Sequence, residues 1–128
     1  MTNKKTYDVV AIGNAIVDVL SFCDDRFIDE QEMRKGTMQL IDSARAEQLY
    51  KAMGQSTEVS GGSAANTLAG MADLGAKTAF IGKVNADELG RIFRHDMNSI
   101  GVEFNTPDAT NGIVTARCLI VEIGRAHV

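Results

Sequence analysis

The sequence predicts an α/β fold built on a parallel sheet, and three observations support that. Short apolar runs near residues 7–12, 77–82 and 102–105 have the length of buried strands. Between them, residues 64–74 and 88–100 carry apolar side chains at helical spacing. Strands that alternate with amphipathic helices pair in parallel through right-handed crossovers. The runs around Val19, Gln39 and Val114 fit a small separate sheet instead.

Taken in order, residues 7–12 end at Gly13 and read as a central, buried strand. Residues 14–22 continue extended. Residues 24–35 are charged without a clean period and read as solvated surface with a helical turn. Residues 37–41 make a plausible strand. Asp42 or Ser43 then caps a helix that buries Ala46, Leu49 and Met53 and stops at Gly54. A short extended piece at 56–60 leads into Gly61-Gly62. Ser63 is the expected N-cap of the next helix, with Gly75 as its stop. Gly70 costs that helix about 1 kcal/mol relative to Ala, so a close neighbour is expected there. Asp87 caps a further helix whose Leu89, Ile92, Phe93, Met97 and Ile100 face the core, which leaves His95 on the surface. Residues 112–121 form the last strand.

At 128 residues, 45% hydrophobic and 23% charged, the chain fits one soluble domain with a real core. A net charge of −4 with no basic patch argues against a nucleic-acid or anionic-membrane surface. The apolar stretch 9–20 is interrupted by Gly13, Asn14 and Asp18, so neither a signal peptide nor a membrane span is expected. Cys23 and Cys118 lack metal-ligand spacing and are expected to stay reduced in a cytoplasm. No metal site is expected.

Several chemistries drop out. One glycine after the first strand does not make a dinucleotide turn, and no phosphate loop with Gly-Lys-Ser/Thr and no Gly-x-Ser-x-Gly elbow is present. What remains is Asn14, Asp18, Gly61, Gly62 and Asn66. A carboxylate, two carboxamides and bare glycine amides suit fixing the hydroxyls of a polyol. Two readings stand for Asp18: strand alternation points it at solvent, or it waits for hydroxyl donors. The double glycine likewise reads either as a tight turn or as a helix start open to a ligand. Beside Asp18 a sugar suits that start better than a phosphate, which the carboxylate would repel.

Three stretches carry a family resemblance: Val10-Ala11-Ile12-Gly13-Asn14-Ala15-Ile16-Val17-Asp18, Gly61-Gly62-Ser63-Ala64-Ala65-Asn66, and residues 75–84 with Asp87 and Gly90. In this order and spacing they resemble the ribokinase-like (PfkB-type) carbohydrate kinases, most closely the adenosine kinase branch. The resemblance implies the N-terminal part of an αβα sandwich with a small β-sheet lid, its lid strands near 16–23, 36–41 and 112–121. It implies transfer of the ATP γ-phosphoryl group to a sugar hydroxymethyl group. By matching position, Asn14 and Asp18 would bind ribose hydroxyls, and Gly61, Gly62, Ser63 and Asn66 would complete the sugar pocket. Met38, Leu40 and Cys118 would cover the ligand. Where the family often has glycine, this chain has Asn85, a change in loop geometry.

The family's second signature, Asp-Thr-x-Gly-Ala-Gly-Asp, holds the catalytic base and part of the ATP site, and it does not occur here. The expectation is therefore a substrate-binding portion with no catalytic residue of its own. ATP and Mg²⁺ would belong to the parent enzyme. The expected partner is a small sugar or nucleoside, with a homodimer through the lid strands as a further possibility. A non-catalytic nucleoside-binding or dimerising module is the alternative. Residues 123–128 back-translate to ATC GGA AGA GCA CAC GTC, which resembles a sequencing adapter. The kinase-like part is therefore expected to span 1–122, followed by a foreign tail.

Overall fold

Residues 5–124 are described by a computed structural model. Their elements run β1 (Val9–Ile12), β2 (Ile16–Cys23), α1 (Asp25–Glu30), α2 (Ser43–Met53), β3 (Thr57–Gly61), α3 (Ser63–Asp73), β4 (Thr78–Ile81), α4 (Glu88–Ser99), β5 (Val102–Glu103) and β6 (Ala116–Ile123). Residues 125–128, most of the segment read as foreign and including His127, lie outside the described residues. Strand β6 takes in Ile123, and the Gly124 N–H donates to the Cys23 carbonyl at 3.0 Å.

The chain divides into two compact units, one of Met1–Asp18 with Val59–Cys118 and one of Val19–Glu58 with Leu119–Val128. In the first, a parallel sheet has the order β1-β4-β5, with Ala11 opposite Phe80 and Thr78 opposite Val102. Helix α3 packs on all three strands and α4 packs on β5. Strand β1 is therefore an edge among the described residues, not the central strand expected. Its continuous apolar run predicts burial on both faces, yet Val10 and Ile12 are 50% and 78% exposed, while Val9 and Ala11 are half-buried.

The core of this unit is aromatic. Phe80 of β4, Phe93 of α4 and Phe104 meet with ring centroids 5.3–5.7 Å apart, and all three are essentially buried. Helix α4 delivers Phe93 because Leu89, Phe93 and Met97 fall on one face, the period the sequence shows. Arg94 lies over Phe104 at 4.4 Å and donates to the carbonyls of Phe104 and Thr106 and to Asp108, which fastens the segment after β5.

In the second unit α2 buries Ala46, Leu49 and Met53. The Ser21 hydroxyl lies 3.1 Å from the carbonyls of both Met53 and Gln55. Asp24, Asp42 and Asp87 cap α1, α2 and α4 by accepting from the amides of Phe27, Arg45 and Gly90.

Ile100, expected to face the core, is 44% exposed at the C-cap of α4, and four further sequence expectations need correction. The N-cap of α3 is Gly62, with no side-chain capping bond. Ser63 already has helical geometry, so its hydroxyl no longer faces the free amides of the first turn. Gly70 has nothing within 4 Å of where a Cβ would stand, so no close neighbour explains it. Residues 36–41 are not a strand, and the second sheet has the order β3-β2-β6 with Thr57–Gly61 in that place. Met38 and Leu40 are 84% and 96% exposed, and an apolar run without a hydrogen-bonding neighbour cannot hold strand form. The last strand begins at Ala116 instead of 112, because residues 111–115 are held by side chains of the 85–87 turn.

Phe93→Ala is expected to cost about 3–5 kcal/mol by urea denaturation, against less than about 0.5 kcal/mol for His95→Ala on the exposed face.

Candidate functional site

Asn14 follows the C-terminal end of β1, Asp18 lies within β2, and Gly61-Gly62 joins β3 to α3. Alternation along β2 buries Val17 and Val19 and leaves Ile16 and Asp18 on the half-buried face. That face meets Gly61: a Cβ built there would stand 2.5–2.8 Å from the Asp18 carboxylate atoms. Gly62, at φ +96°, is the one residue that fits its own place, and a Cβ there would lie 2.8 Å from the Asn14 carbonyl oxygen. Asp18 thus meets Gly61 through its carboxylate, and Asn14 meets Gly62 through its main-chain carbonyl. Ser63 and Asn66 sit in the first turn of α3, where the Asn66 N–H donates to the Gly62 carbonyl at 2.9 Å.

Among the described residues, the side chains of Asn14, Asp18, Ser63 and Asn66 make no hydrogen bond or ion pair. Other carboxylates nearby are engaged. Asp96 of α4 accepts the Ser60 N–H at 2.8 Å and so anchors the strand that enters the double glycine. The sequence reading missed Asp96. Its only signal is a carboxylate next to the buried Met97, beside the apolar stripe of α4. The Cys118 thiol is pushed up by burial and then by the negative charge of Asp18, so it stays protonated at neutral pH.

A crevice of about 330 Å³ opens beside Asn14, lined by residues 13–16, Lys83, Asn85 and residues 113–116. Its far wall is fixed by one carboxylate. Asp87 accepts the Thr115 hydroxyl at 2.6 Å, the Thr115 N–H at 2.9 Å and the Gly90 N–H at 2.8 Å. The Asn85 N–H donates to the Thr115 hydroxyl oxygen, and its carboxamide donates to the carbonyls of Asn111 and Ile113. Asn85 therefore ties the crevice wall together. A glycine has no side chain with which to do so. Burial pushes the Asp87 carboxyl up, but the Thr115 and Gly90 hydrogen bonds and the positive charge of Arg117 hold it below its ordinary value. A hollow of about 430 Å³ on α4 is lined by Arg91, Arg94, His95, Asn98 and Ser99. Its arginines are engaged by Glu88 and by Asp108.

Among the described residues no group of three or more His, Cys, Asp or Glu is placed to hold a metal, and no helix is long and apolar enough to cross a membrane.

Parallel strands with helices packed on them and a crevice at the strands' C-terminal ends place the protein in the α/β class. Residues 8–126 match the model of the pfkB family carbohydrate kinases, and the chain belongs to that family. An adenosine kinase from Sinorhizobium meliloti is similar at 50% identity and a TM-score of 0.78, over 91% of this chain and 36% of that one. A protein of Rhizobium etli CFN 42 described as a probable sugar kinase is similar at 49% identity and a TM-score of 0.77, over 90% of this chain and 35% of that one. The 5-dehydro-2-deoxygluconokinase of Bacillus subtilis (strain 168) is 32% identical over 100 residues, 78% of this chain and 24% of that protein. The chain thus spans between a quarter and just over a third of the length of these relatives. The ribokinase-like fold expected from the motifs is the fold found.

Two outcomes follow from this geometry. Gly62→Ala is expected to cost about 1–3 kcal/mol, because a positive-φ position is strained and the clash is with backbone. Gly61→Ala meets a side chain, the Asp18 carboxylate, instead of backbone and is expected to cost less than half as much in the same urea titration. For Asp87 the folded-state value is the lowered one, so its charged form stabilises the fold above the unfolded value of about 3.9. That stability falls away as pH drops below about 4, toward the folded value. Unfolding midpoints compared between about pH 3 and pH 7 are expected to show a smaller acid loss in Asp87→Asn than in the parent chain.

Proposed function

We propose that this chain is the acceptor-binding part of an ATP-dependent kinase that phosphorylates a ribose-type hydroxymethyl group, with adenosine as the favoured acceptor. One observation supports this reading above the rest. Asp18 and Asn14 meet the bare backbone of Gly61-Gly62, and their side chains have no hydrogen-bond partner among the described residues. A carboxylate accepts from two vicinal hydroxyls at once, and carboxamides both donate and accept, which suits a ribose. The glycines let the Asp18 carboxylate and the Asn14 carbonyl lie against the main chain, which sets where those two residues stand. Ser63 and Asn66, in the first helical turn, extend the same polar surface. Membership of a carbohydrate kinase family and the likeness to a bacterial adenosine kinase favour this acceptor class.

Asp87, Asp96 and Asp108 are bound to Thr115, Ser60 and Arg94, so we give them a structural role and no share in an ATP–Mg²⁺ site. Phosphoryl transfer depends on positioning and on charge stabilisation by metal, donors and a base. We therefore assign this chain acceptor binding and place the base, the anion-stabilising donors and ATP on further sequence of the parent enzyme. A cytoplasmic setting, where Cys23 and Cys118 remain thiols, completes the reading.

Calorimetry of the 128-residue chain with adenosine and with ribose tests it. Binding is expected for both, with adenosine tighter and Asp18→Ala weakened at least about tenfold, equivalent to about 1.4 kcal/mol. A chain that is folded by circular dichroism yet binds neither ligand at millimolar concentration would overturn the assignment.

A further inference from the structure

The crevice beside Asn14 has a chemistry that differs from the double-glycine cluster. It lies at the C-terminal ends of two parallel strands, since Asn14 follows β1 and Lys83 follows β4. That is where open parallel sheets hold ligands. Asp18, the carboxylate of the sugar cluster, does not line it. The polar residues that do are Asn14, Asn85, Thr115 and Lys83. Two of these are already committed. Thr115 is bound to Asp87, and both Asn85 amide donations go to the carbonyls of Asn111 and Ile113. Among the described residues Lys83 has no ion pair or hydrogen bond. The crevice is thus a pre-formed recess with one uncommitted cation and one uncommitted carboxamide.

We propose that this crevice is an oxyanion subsite, in which Lys83 receives the phosphate or carboxylate of a sugar-derived ligand. An ammonium supplies three rotatable donors to tetrahedral or planar oxygens. The bonds of Asp87 and Asn85 hold residues 111–115 in place, so this wall of the crevice is fixed. Asn14 borders both the crevice and Gly62, so one ligand reaches from the hydroxyl-binding cluster to the cation. The sugar part of this inference rests on the acceptor reading above, whereas the oxyanion part rests on the crevice alone. Lys83 is a specificity-determining residue under this proposal. It adds affinity for an anionic sugar, either a phosphorylated product or a sugar acid, while a neutral acceptor is held by Asp18 and Asn14 alone.

The test is amide chemical-shift titration of the ¹⁵N-labelled chain with ribose, ribose 5-phosphate, gluconate and inorganic phosphate. At low salt, ribose 5-phosphate or gluconate is expected to bind at least about fivefold more tightly than ribose, with shifts at Lys83, Val84 and Asn85. Whichever of the two binds more tightly identifies the oxyanion. That advantage is expected to shrink between about 0.02 M and about 0.5 M salt, to vanish in Lys83→Met and to survive in Lys83→Arg. Lys83 is exposed, so these variants are expected to fold. Equal affinity of the parent chain for all three sugars, or an advantage that persists in Lys83→Met, would overturn the proposal. Phosphate shifts at Lys83 that are lost in Lys83→Met, without any binding of ribose, would support the subsite and count against the acceptor reading.

Discussion

Phe80 packs against Phe93 and Phe104, and its ring also sets how β1 and β4 end. A Cβ at Gly13 would lie 3.5 Å from that ring and 2.8 Å from the Ala64 Cβ, and a Cβ at Gly82 would lie 2.5 Å from the ring. The two strand ends therefore come close together only because both are glycine. The next residues along the chain are Asn14 and Lys83, which border the crevice. Each buried aromatic ring contributes about 2–3 kcal/mol by burial alone, and the edge contacts add to this. The buried aromatic cluster thus reaches the two strand ends from which Asn14 and Lys83 follow.

Around that cluster, carboxylates divide into two kinds. Asp87 and Asp96 each accept main-chain amides from a distant part of the chain, so they serve geometry: Asp87 holds residues 113–116 against α4, and Asp96 holds Ser60 ahead of the double glycine. Asp18 accepts nothing among the described residues, although it is half-buried. A carboxylate removed in part from water without a donor carries a desolvation cost. A hydroxyl-bearing ligand would supply the missing donors. This contrast distinguishes acidic groups committed to main-chain amides from Asp18, whose oxygens remain open.

Much of the fold was legible in the sequence because its signals are local. The helix caps Asp42 and Asp87, the stop at Gly54 and the stripe of Leu89, Phe93 and Met97 depend on residues three or four apart. Strand status was harder wherever a partner decides it. Residues 36–41 have a strand-like composition but no neighbour to pair with, whereas the unremarkable Thr57–Gly61 pairs in the second sheet. Residues 112–115 look continuous with β6 until Asn85 and Asp87 take their backbone groups.

The double glycine, with Asn14, Asp18 and Asn66, stands out as a candidate site in the sequence itself. Glycine pairs and isolated polar residues within apolar strands stand out against a simple background. Tertiary structure decided what those residues touch: that Gly61 faces the Asp18 carboxylate, that Gly62 instead of Ser63 begins α3, and that Lys83 shares a crevice with Asn14. Those contacts join positions about 43 to 69 residues apart, and no short-range pattern encodes them. The physical reason is that residue type sets what a side chain can do, while its partners are set by which strands pair. Pairing is a property of the whole sheet.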